Sequence, residues 1–478
     1  MKLTKAQFRR LCQIAGSGNI FEDADSFEKY GQDWTRFHQP APSAIIFARD
    51  VAQLIEIVSY ANSEKLALVP SGGRTGQSGG AVACQGEIVI SFEKMNRILS
   101  FNEVDQTVTL EPGVITQALQ AFARGKGLYY PVDFASSGSS QIGGNIATNA
   151  GGIKVLRYGL SRNWVAGLKV ITGAGQYLTF NHSLVKNATG YDFRHLFIGS
   201  EGTLGFVVEA TLRLTSPPDS LEVMLLAVPE MTDTISILQE FRRRIRLTAF
   251  EFFSDKALAH VVRQMNCPRP FKEMSDYYVL LEYESDNEQD QDAAMLAFQV
   301  CIDAGWVVDG IVGKSQQQNE NLWRYREAIS ESITPYTPYK NDVSVLVSRV
   351  PEFLETVDKL VSERYPEFEI IWFGHIGDGN LHLNILKPKA WALSDFKGEC
   401  EKVSQEVLGI VADFEGSISA EHGVGLLKRD QLQFSRSLEE IELMRQVKKV
   451  FDPNGIMNPG KLIPGQESVG INLSPTDS

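Results

Sequence analysis

Past Gly379 the chain alternates polar and apolar residues, with Asn380, His382 and Asn384 set against Leu381, Leu383 and Ile385. A period of two predicts a strand with a polar, site-facing row backed by an apolar one. His375 and His382 also have helical spacing, but Gly374, Gly377 and Gly379 make a helix unfavourable there. The glycines instead allow a turn that folds His375 back toward His382. Earlier in the chain "AIIFA" (Ala44 to Ala48) predicts a strand. Asp50 caps a helix over "VAQLIEIVSYANSEK", and "LALVP" (Leu66 to Pro70) predicts a second strand. Short strands are expected over Glu87 to Phe92, Thr107 to Gly113 and Thr203 to Leu214. Phe8, Leu11 and Ile14 have the spacing of a helix packed on the body of the protein. The prolines of "SPP" (Ser216 to Pro218) mark a domain boundary, after which longer and more charged segments begin. "FDPNGIMNPGKLIPG" reads as an ordered closing segment and "QESVGINLSPTDS" as a frayed tail.

Composition narrows the function. The 478 residues are 43% hydrophobic and 22% charged, as in a soluble protein with a real core. A net charge of −13 argues against a nucleic-acid partner and requires local positive charge wherever an anionic substrate binds. The 5 cysteines are scattered and odd in number, as expected for reduced thiols. No secretory leader pattern and no long apolar run is present, so the expectation is a cytoplasmic protein with no transmembrane segment.

Glycine is concentrated in "PSGGRTGQSGG" (Pro70 to Gly80) and "SSGSSQIGGNIATNAGG" (Ser136 to Gly152). Glycine lets backbone N–H groups approach an anion closely, so two such loops suit a long phosphate-bearing ligand. The alternative is a pair of tight turns. The dinucleotide fingerprint is absent, and "DGIVGKS" (Asp309 to Ser315) fails as a P-loop because Val308 stands where its first glycine belongs. A nicotinamide or ATP site has no support.

Two imidazoles on a strand and its preceding turn make a metal pair that needs a third ligand. "SISAEHGVG" (Ser417 to Gly425) offers Glu421, which would complete a His2Glu set, while the adjacent His422 points elsewhere and is free to act as a base. Hydrogen-bonded structural histidines are the alternative. A carboxylate substrate also needs cations, and Leu322 to Val345 supplies Arg324, Arg326 and Lys340. Arg326 and Ser330 are placed at i and i+4 of a helix, facing the same way. A solvated basic face is the alternative for this cluster.

The two glycine loops together with "GSEGTLG" (Gly199 to Gly205) resemble the FAD-binding half of the vanillyl-alcohol oxidase and p-cresol methylhydroxylase superfamily. The resemblance implies that Pro70, Ser71, Gly72, Gly73, Arg74, Thr75, Gly76 and Gly79 wrap the FAD pyrophosphate. It further implies that Ser136, Gly143, Gly144, Asn145, Thr148 and Gly151 support the flavin and ribityl chain, with Glu201, Gly202 and Asn458 completing the cofactor set. Some relatives attach FAD through a histidine after S-G-G; here that position is Arg74, so FAD is expected to be non-covalent.

"GHIGDGNLHLN", "SAEHGVG" and "DPNGIMNPGKL" are similar to the C-terminal half of FAD-linked D-2-hydroxyacid dehydrogenases. That likeness implies His375, His382 and Glu421 as metal ligands and His422 as catalytic base. The metal would be Zn2+, with Mn2+, Fe2+ or Co2+ as alternatives. "YKND" and the segment before it resemble the D-2-hydroxyglutarate dehydrogenases, which implies substrate contacts at Arg326, Ser330, Lys340, Asn384 and His422. The implied reaction is oxidation of D-2-hydroxyglutarate to 2-oxoglutarate, with D-malate as a secondary substrate. D-lactate or glycolate dehydrogenation, or a non-catalytic flavoprotein subunit, are the alternatives. The implied electron acceptor is an electron-transfer flavoprotein or a quinone, and the implied assembly a homodimer.

The expected fold is α+β: a PCMH-type FAD-binding domain (39–217), an α/β substrate and metal domain (218–425) and a short C-terminal segment returning to the FAD domain (426–465). An N-terminal helical segment (1–38) and a flexible tail (466–478) flank them.

Overall fold

Ala44–Phe47 forms a strand buried on both faces, between Ile20–Phe21 on one side and Ile88–Ser91 on the other. Its uninterrupted apolar run is what a doubly covered parallel strand requires. The computed structural model describes residues 2–35 and 37–465, so the expected tail lies outside the described residues. The chain divides into two compact units. Of the described residues, one unit contains those up to Gly152, Leu160–Ser216 and 421–465; the other contains Ile153–Gly159 and Pro217–Ala420.

The first unit holds two sheets. Leu68–Ser71 pairs in parallel with Ile88–Ser91 and so forms the edge of the four-stranded sheet. The helix Val51–Glu64 links Ala44–Phe47 to Leu68–Ser71 as expected, both strands lying parallel to Ile88–Ser91, with the Asp50 side chain accepting from Gln53 N–H at the helix start. A five-stranded antiparallel sheet runs in the order Ile98–Asn102, Thr107–Leu110, Gly205–Arg213, Val165–Thr172, Tyr177–Phe180. The N-terminal helix Lys5–Ala15 contributes Leu11 and Ile14 to the same core as Leu54, Ile57 and Val58. Ile20–Phe21 was absent from the sequence expectation because two residues carry no readable period.

The closing segment is part of this unit. Met457 bridges Leu68 in parallel, Leu68 N–H donates to the Ile456 carbonyl, and Asn458 N–H donates to the Leu68 carbonyl. Lys448 donates to the carbonyls of Thr203 and Met457 and pairs with Asp452, which fastens the helix Leu438–Phe451 to the same body.

The second unit is built on a seven-stranded sheet in which every pairing is antiparallel. Its order is Asp309–Val312, Leu221–Val228, Tyr277–Glu284, Arg246–Ser254, Glu369–His375, Asn380–Leu386, Tyr339–Ser344. Its core joins sheet residues such as Leu225, Phe253 and Ile371 to Leu258, Trp323 and Ile329 on helices. The short excursion Ile153–Gly159 is held by Arg157 and Tyr158 on Glu284 and by Lys154 on Glu282. All five cysteines are free. Among the described residues no helix is long and apolar enough to cross a membrane.

Candidate functional site

In the first unit the glycine loops build a cleft lined by Pro70, Gly72, Gly73, Arg74, Thr75 and Gly76 from the first loop and Gly143, Gly144, Asn145 and Thr148 from the second. Glu201 and Gly202 complete the wall. The two loops touch: a Cβ on Gly73 would stand 2.2 Å from the Ser139 carbonyl oxygen, and one on Gly202 would stand 2.5 Å from Pro70 Cγ. Glycine is therefore a condition of closing this wall. Where a Cβ on Gly144 would stand there is open space, which leaves the second loop's backbone accessible to a ligand.

Gln141 also lines the cleft, and its buried Oε1 has no hydrogen-bond partner in the protein. Such an orphan is accounted for by a polar ligand lying in the cleft. The residues present thus fit a long, polar, phosphate-bearing cofactor such as FAD.

Five residues expected at the cofactor do not line the cleft. Ser71 is fully buried with its hydroxyl directed at the Tyr30 carbonyl. Gly79 takes a positive φ of 80° beneath Leu426, and the Ser136 carbonyl is used by a tight turn to Ser139 and Ser140. Gly151 is buried. Asn458, also fully buried, donates to the carbonyls of Gly80 and Glu201. These residues frame the loops. Arg74 reaches the cleft, but its guanidinium pairs with Glu93 at 2.9 Å and lies over the Tyr30 ring.

Sequence reasoning missed Asp33, which lines the cleft and accepts from Gly79 N–H at 2.8 Å. It also accepts from the Thr35 N–H and hydroxyl, and burial raises its pKa. Glu201, in left-handed backbone, accepts from Val424 N–H at 2.7 Å and Gly425 N–H at 2.8 Å. Burial raises the Glu201 pKa, and these two donors work against that rise.

In the second unit the strands Glu369–His375 and Asn380–Leu386 form a hairpin in which His375 opposes Asn380. Gly379, at φ 84°, makes the turn, and a Cβ on Gly374 would collide with the Asn380 carbonyl. The two imidazole centroids consequently come within 5.4 Å. The polar row is more enclosed than expected: Asn380 and Asn384 are buried, and only His382 is partly open. Both faces of this inner strand are covered.

Ser344 and Ser417 exchange both backbone hydrogen bonds, which carries the segment ending at Ala420 alongside the edge strand. Glu421 follows by one peptide bond. One ligand atom each from His375, His382 and Glu421 lies within 4.8 Å of the other two. His375 Nδ1 stands 2.8 Å from Glu251 Oε1, and His382 Nδ1 stands 3.6 Å from Asp342 Oδ1. An acid on the Nδ1 side is the usual backing of a histidine that ligates a metal through Nε2. Two imidazoles and a carboxylate are a donor set that fits zinc and neighbouring divalent metals. His422, the next residue, is not one of the three.

Of the expected cations, Arg324 is exposed and does not join the group. Arg326 is 7% exposed, lies 4.8 Å over the Phe373 ring and approaches Glu251 Oε2 at 2.9 Å. Its buried Nε donates to no protein atom. Arg326 and Ser330 do not share one helix: Gln316–Glu327 ends before Ile329–Ile333 begins, with Ala328 between. Ser330 is instead engaged by Lys340, whose ammonium donates to its hydroxyl at 3.0 Å. Lys340 opposes Asn384 across the sheet. Its side chain is exposed overall, yet protein around the ammonium displaces water and lowers its pKa. Glu251 and Asp342 were not identified from sequence; the signal for Glu251 was a single carboxylate inside the apolar run Ala249 to Phe253.

Residues 42–181 match the family described as FAD binding domain, and residues 217–462 match FAD linked oxidases, C-terminal domain. The chain is 58% identical to a D-2-hydroxyglutarate dehydrogenase of Stutzerimonas stutzeri over 93% of its own length and 96% of the relative's. It is 53% identical to one of Xanthomonas citri, covering 92% of this chain and 93% of that one. A mitochondrial D-2-hydroxyglutarate dehydrogenase of Bos taurus is 35% identical over 94% of this chain and 81% of its own. Among solved structures, p-cresol methylhydroxylase with substrate bound superposes with a TM-score of 0.74 at 15% identity, covering 97% of this chain and 98% of that one. The 4-ethylphenol oxidase of Gulosibacter chungangensis gives 0.74 at 18% identity, with 97% and 99% covered. These two likenesses concern the fold. The chain belongs to the FAD-linked oxidases, in the D-2-hydroxyglutarate dehydrogenase family of flavin-dependent dehydrogenases.

Proposed function

We propose that this protein oxidises D-2-hydroxyglutarate to 2-oxoglutarate in a metal-dependent reaction, with D-malate as a shorter secondary substrate. The observation that carries the reading is the meeting of His375, His382 and Glu421 donors within 4.8 Å, each imidazole faced at Nδ1 by a buried carboxylate. The names of the relatives supply the substrate, and the cations of the second unit agree with a dicarboxylate.

FAD, held by the cleft of the first unit, supplies a two-electron acceptor for the C2 hydride. His375, His382 and Glu421 would hold a divalent metal, which would supply Lewis-acid chemistry to the 2-hydroxyl. His422 takes the hydroxyl proton as general base. Arg326 brings an unused buried donor to a substrate carboxylate, and Lys340 with Ser330 offers a charge and a hydroxyl to the other. Asn384, beside Lys340 in the sheet, completes the polar contacts. Fixing both carboxylates leaves the hydroxyacid few orientations, a large part of the rate gain. The proton and hydride lost from the C2 alcohol together leave the ketone.

On this reading the electrons pass onward to an electron-transfer flavoprotein or a quinone, and the protein works as a cytoplasmic homodimer. The deciding experiment is anaerobic flavin reduction with a panel of D- and L-2-hydroxyacids, with and without chelator. Bleaching by D-2-hydroxyglutarate that is lost on chelation is expected. An unbleached flavin, or bleaching indifferent to chelator, overturns the reading.

A further inference from the structure

Glu251 is the one ionisable side chain in the run Ala249-Phe250-Glu251-Phe252-Phe253, and it is 1% exposed. A carboxylate so dry is costly unless both oxygens face compensating groups. Oε1 faces His375 Nδ1 at 2.8 Å and Oε2 faces Arg326 Nη2 at 2.9 Å. The two oxygens are not engaged alike. Oε2 accepts no aligned hydrogen bond despite the short approach, and Arg326 Nε donates none. The guanidinium is thus held by charge and by the Phe373 ring rather than by a locked fork, and it keeps donors in reserve.

We infer that Glu251 is a positioning residue that couples the metal ligand His375 to the substrate arginine Arg326. This rests on the proposed reading of His375 as a ligand. Glu251 keeps the proton of His375 on Nδ1, so that Nε2 is the donor presented to a cation. It also balances the charge of Arg326 while no substrate is bound. When a substrate carboxylate engages Arg326, the arginine's charge is shared between two anions. Glu251 then polarises the His375 N–H more strongly and makes that imidazole a more electron-rich donor. Metal and hydroxyacid therefore strengthen each other's binding, and the coupling is reciprocal.

Asp342 provides the control. It faces His382 Nδ1 at 3.6 Å, as Glu251 faces His375, and it accepts from Asn380 Nδ2 at 2.8 Å, whereas Arg326 pairs with Glu251. The test is zinc affinity of the full-length flavoprotein, measured by chelator competition with and without saturating 2-oxoglutarate. The variants are Glu251→Gln, Glu251→Asp and Asp342→Asn, with flavin content checked for each. Glu251→Gln should weaken zinc about 10- to 100-fold and shrink the tightening by 2-oxoglutarate. Asp342→Asn should weaken zinc while leaving that tightening factor at its wild-type value.

Glu251→Asp keeps the charge but is one methylene short of spanning both partners, so it too should lose coupling. It decides the question if the glutamine variant does not retain flavin. Wild-type zinc affinity in both Glu251 variants, or weakened zinc with the tightening factor intact, overturns the inference. If the wild-type protein and His375→Ala hold zinc equally poorly, the metal reading itself has failed, which is a separate outcome.

Discussion

The ammonium of Lys340 donates to Ser330 Oγ at 3.0 Å, so the second cation proposed for the substrate rests on a neutral hydroxyl. A substrate carboxylate would meet both groups together. Lys340→Ala removes a charge-assisted hydrogen bond of about 1.5–3 kcal/mol. The Michaelis constants for D-2-hydroxyglutarate and D-malate should rise about 10- to 100-fold by the same arithmetic. That for D-lactate, which has no second carboxylate, should change far less. Equal losses for all three would move the lysine to the C1 carboxylate or to general electrostatics.

The same residue predicts a pH dependence. Surrounding protein lowers the Lys340 pKa from the usual 10.5, so the free protein gives up this proton at a lower pH than an ordinary lysine does. The cationic form binds the dicarboxylate, so affinity is full below the lowered pKa and falls as pH rises through it. Lys340→Arg should carry the fall beyond the measurable range, because guanidinium stays charged. Profiles of kcat/KM for D-2-hydroxyglutarate against pH check this; identical alkaline limbs in the two proteins would remove Lys340 from the profile.

Loss of the base should show in turnover and not in cofactor content. His422→Asn is expected to lower kcat about 100- to 10,000-fold with the flavin retained. Single-turnover flavin reduction measures it, and an unchanged rate would end the assignment.

Metal removal is addressed by His375→Ala. Purified variant should carry little zinc per flavin and recover little on adding zinc, since only His382 and Glu421 remain of the three donors. Elemental analysis with flavin absorbance decides; a wild-type ratio would show that the donors were misassigned.

A substitution of Glu201 probes the frame of the cofactor cleft. Glu201→Ala leaves the N–H groups of Val424 and Gly425 without their acceptor. Each unsatisfied group costs about 1–3 kcal/mol. Part of this is offset, because burial already disfavours the Glu201 anion. Thermal unfolding of the flavin-loaded protein should fall by several degrees, with flavin released more readily. An unchanged midpoint would show that water or a rearranged loop replaces the carboxylate.

Local patterns made much of this legible. Asp50 and its helix, the strand of alternating asparagine, histidine and leucine, and the paired glycine loops each declare themselves within a short window. The unreadable parts depend on distant pairing. Asp33, beside the cleft, accepts from Gly79 N–H 46 residues on, and Glu251 meets His375 across 124 residues of chain. No period or spacing encodes either meeting. The Arg326–Ser330 relationship was misjudged for a local reason: the helix breaks at Ala328, and Ser330 answers to Lys340 instead.

The bridge between Leu68 and Met457 also has a bearing on biosynthesis. The strand Leu68–Ser71 emerges early from the ribosome, yet the residue that closes its outer edge is translated almost at the end of the chain. During that interval the nascent polypeptide carries an unsealed apolar strand, the kind of edge that invites association between chains. Pro217–Ala420 holds nearly all of the second unit and can complete its own sheet in the meantime. Synthesis of this enzyme therefore leaves that edge of its first unit open until Met457 has been translated.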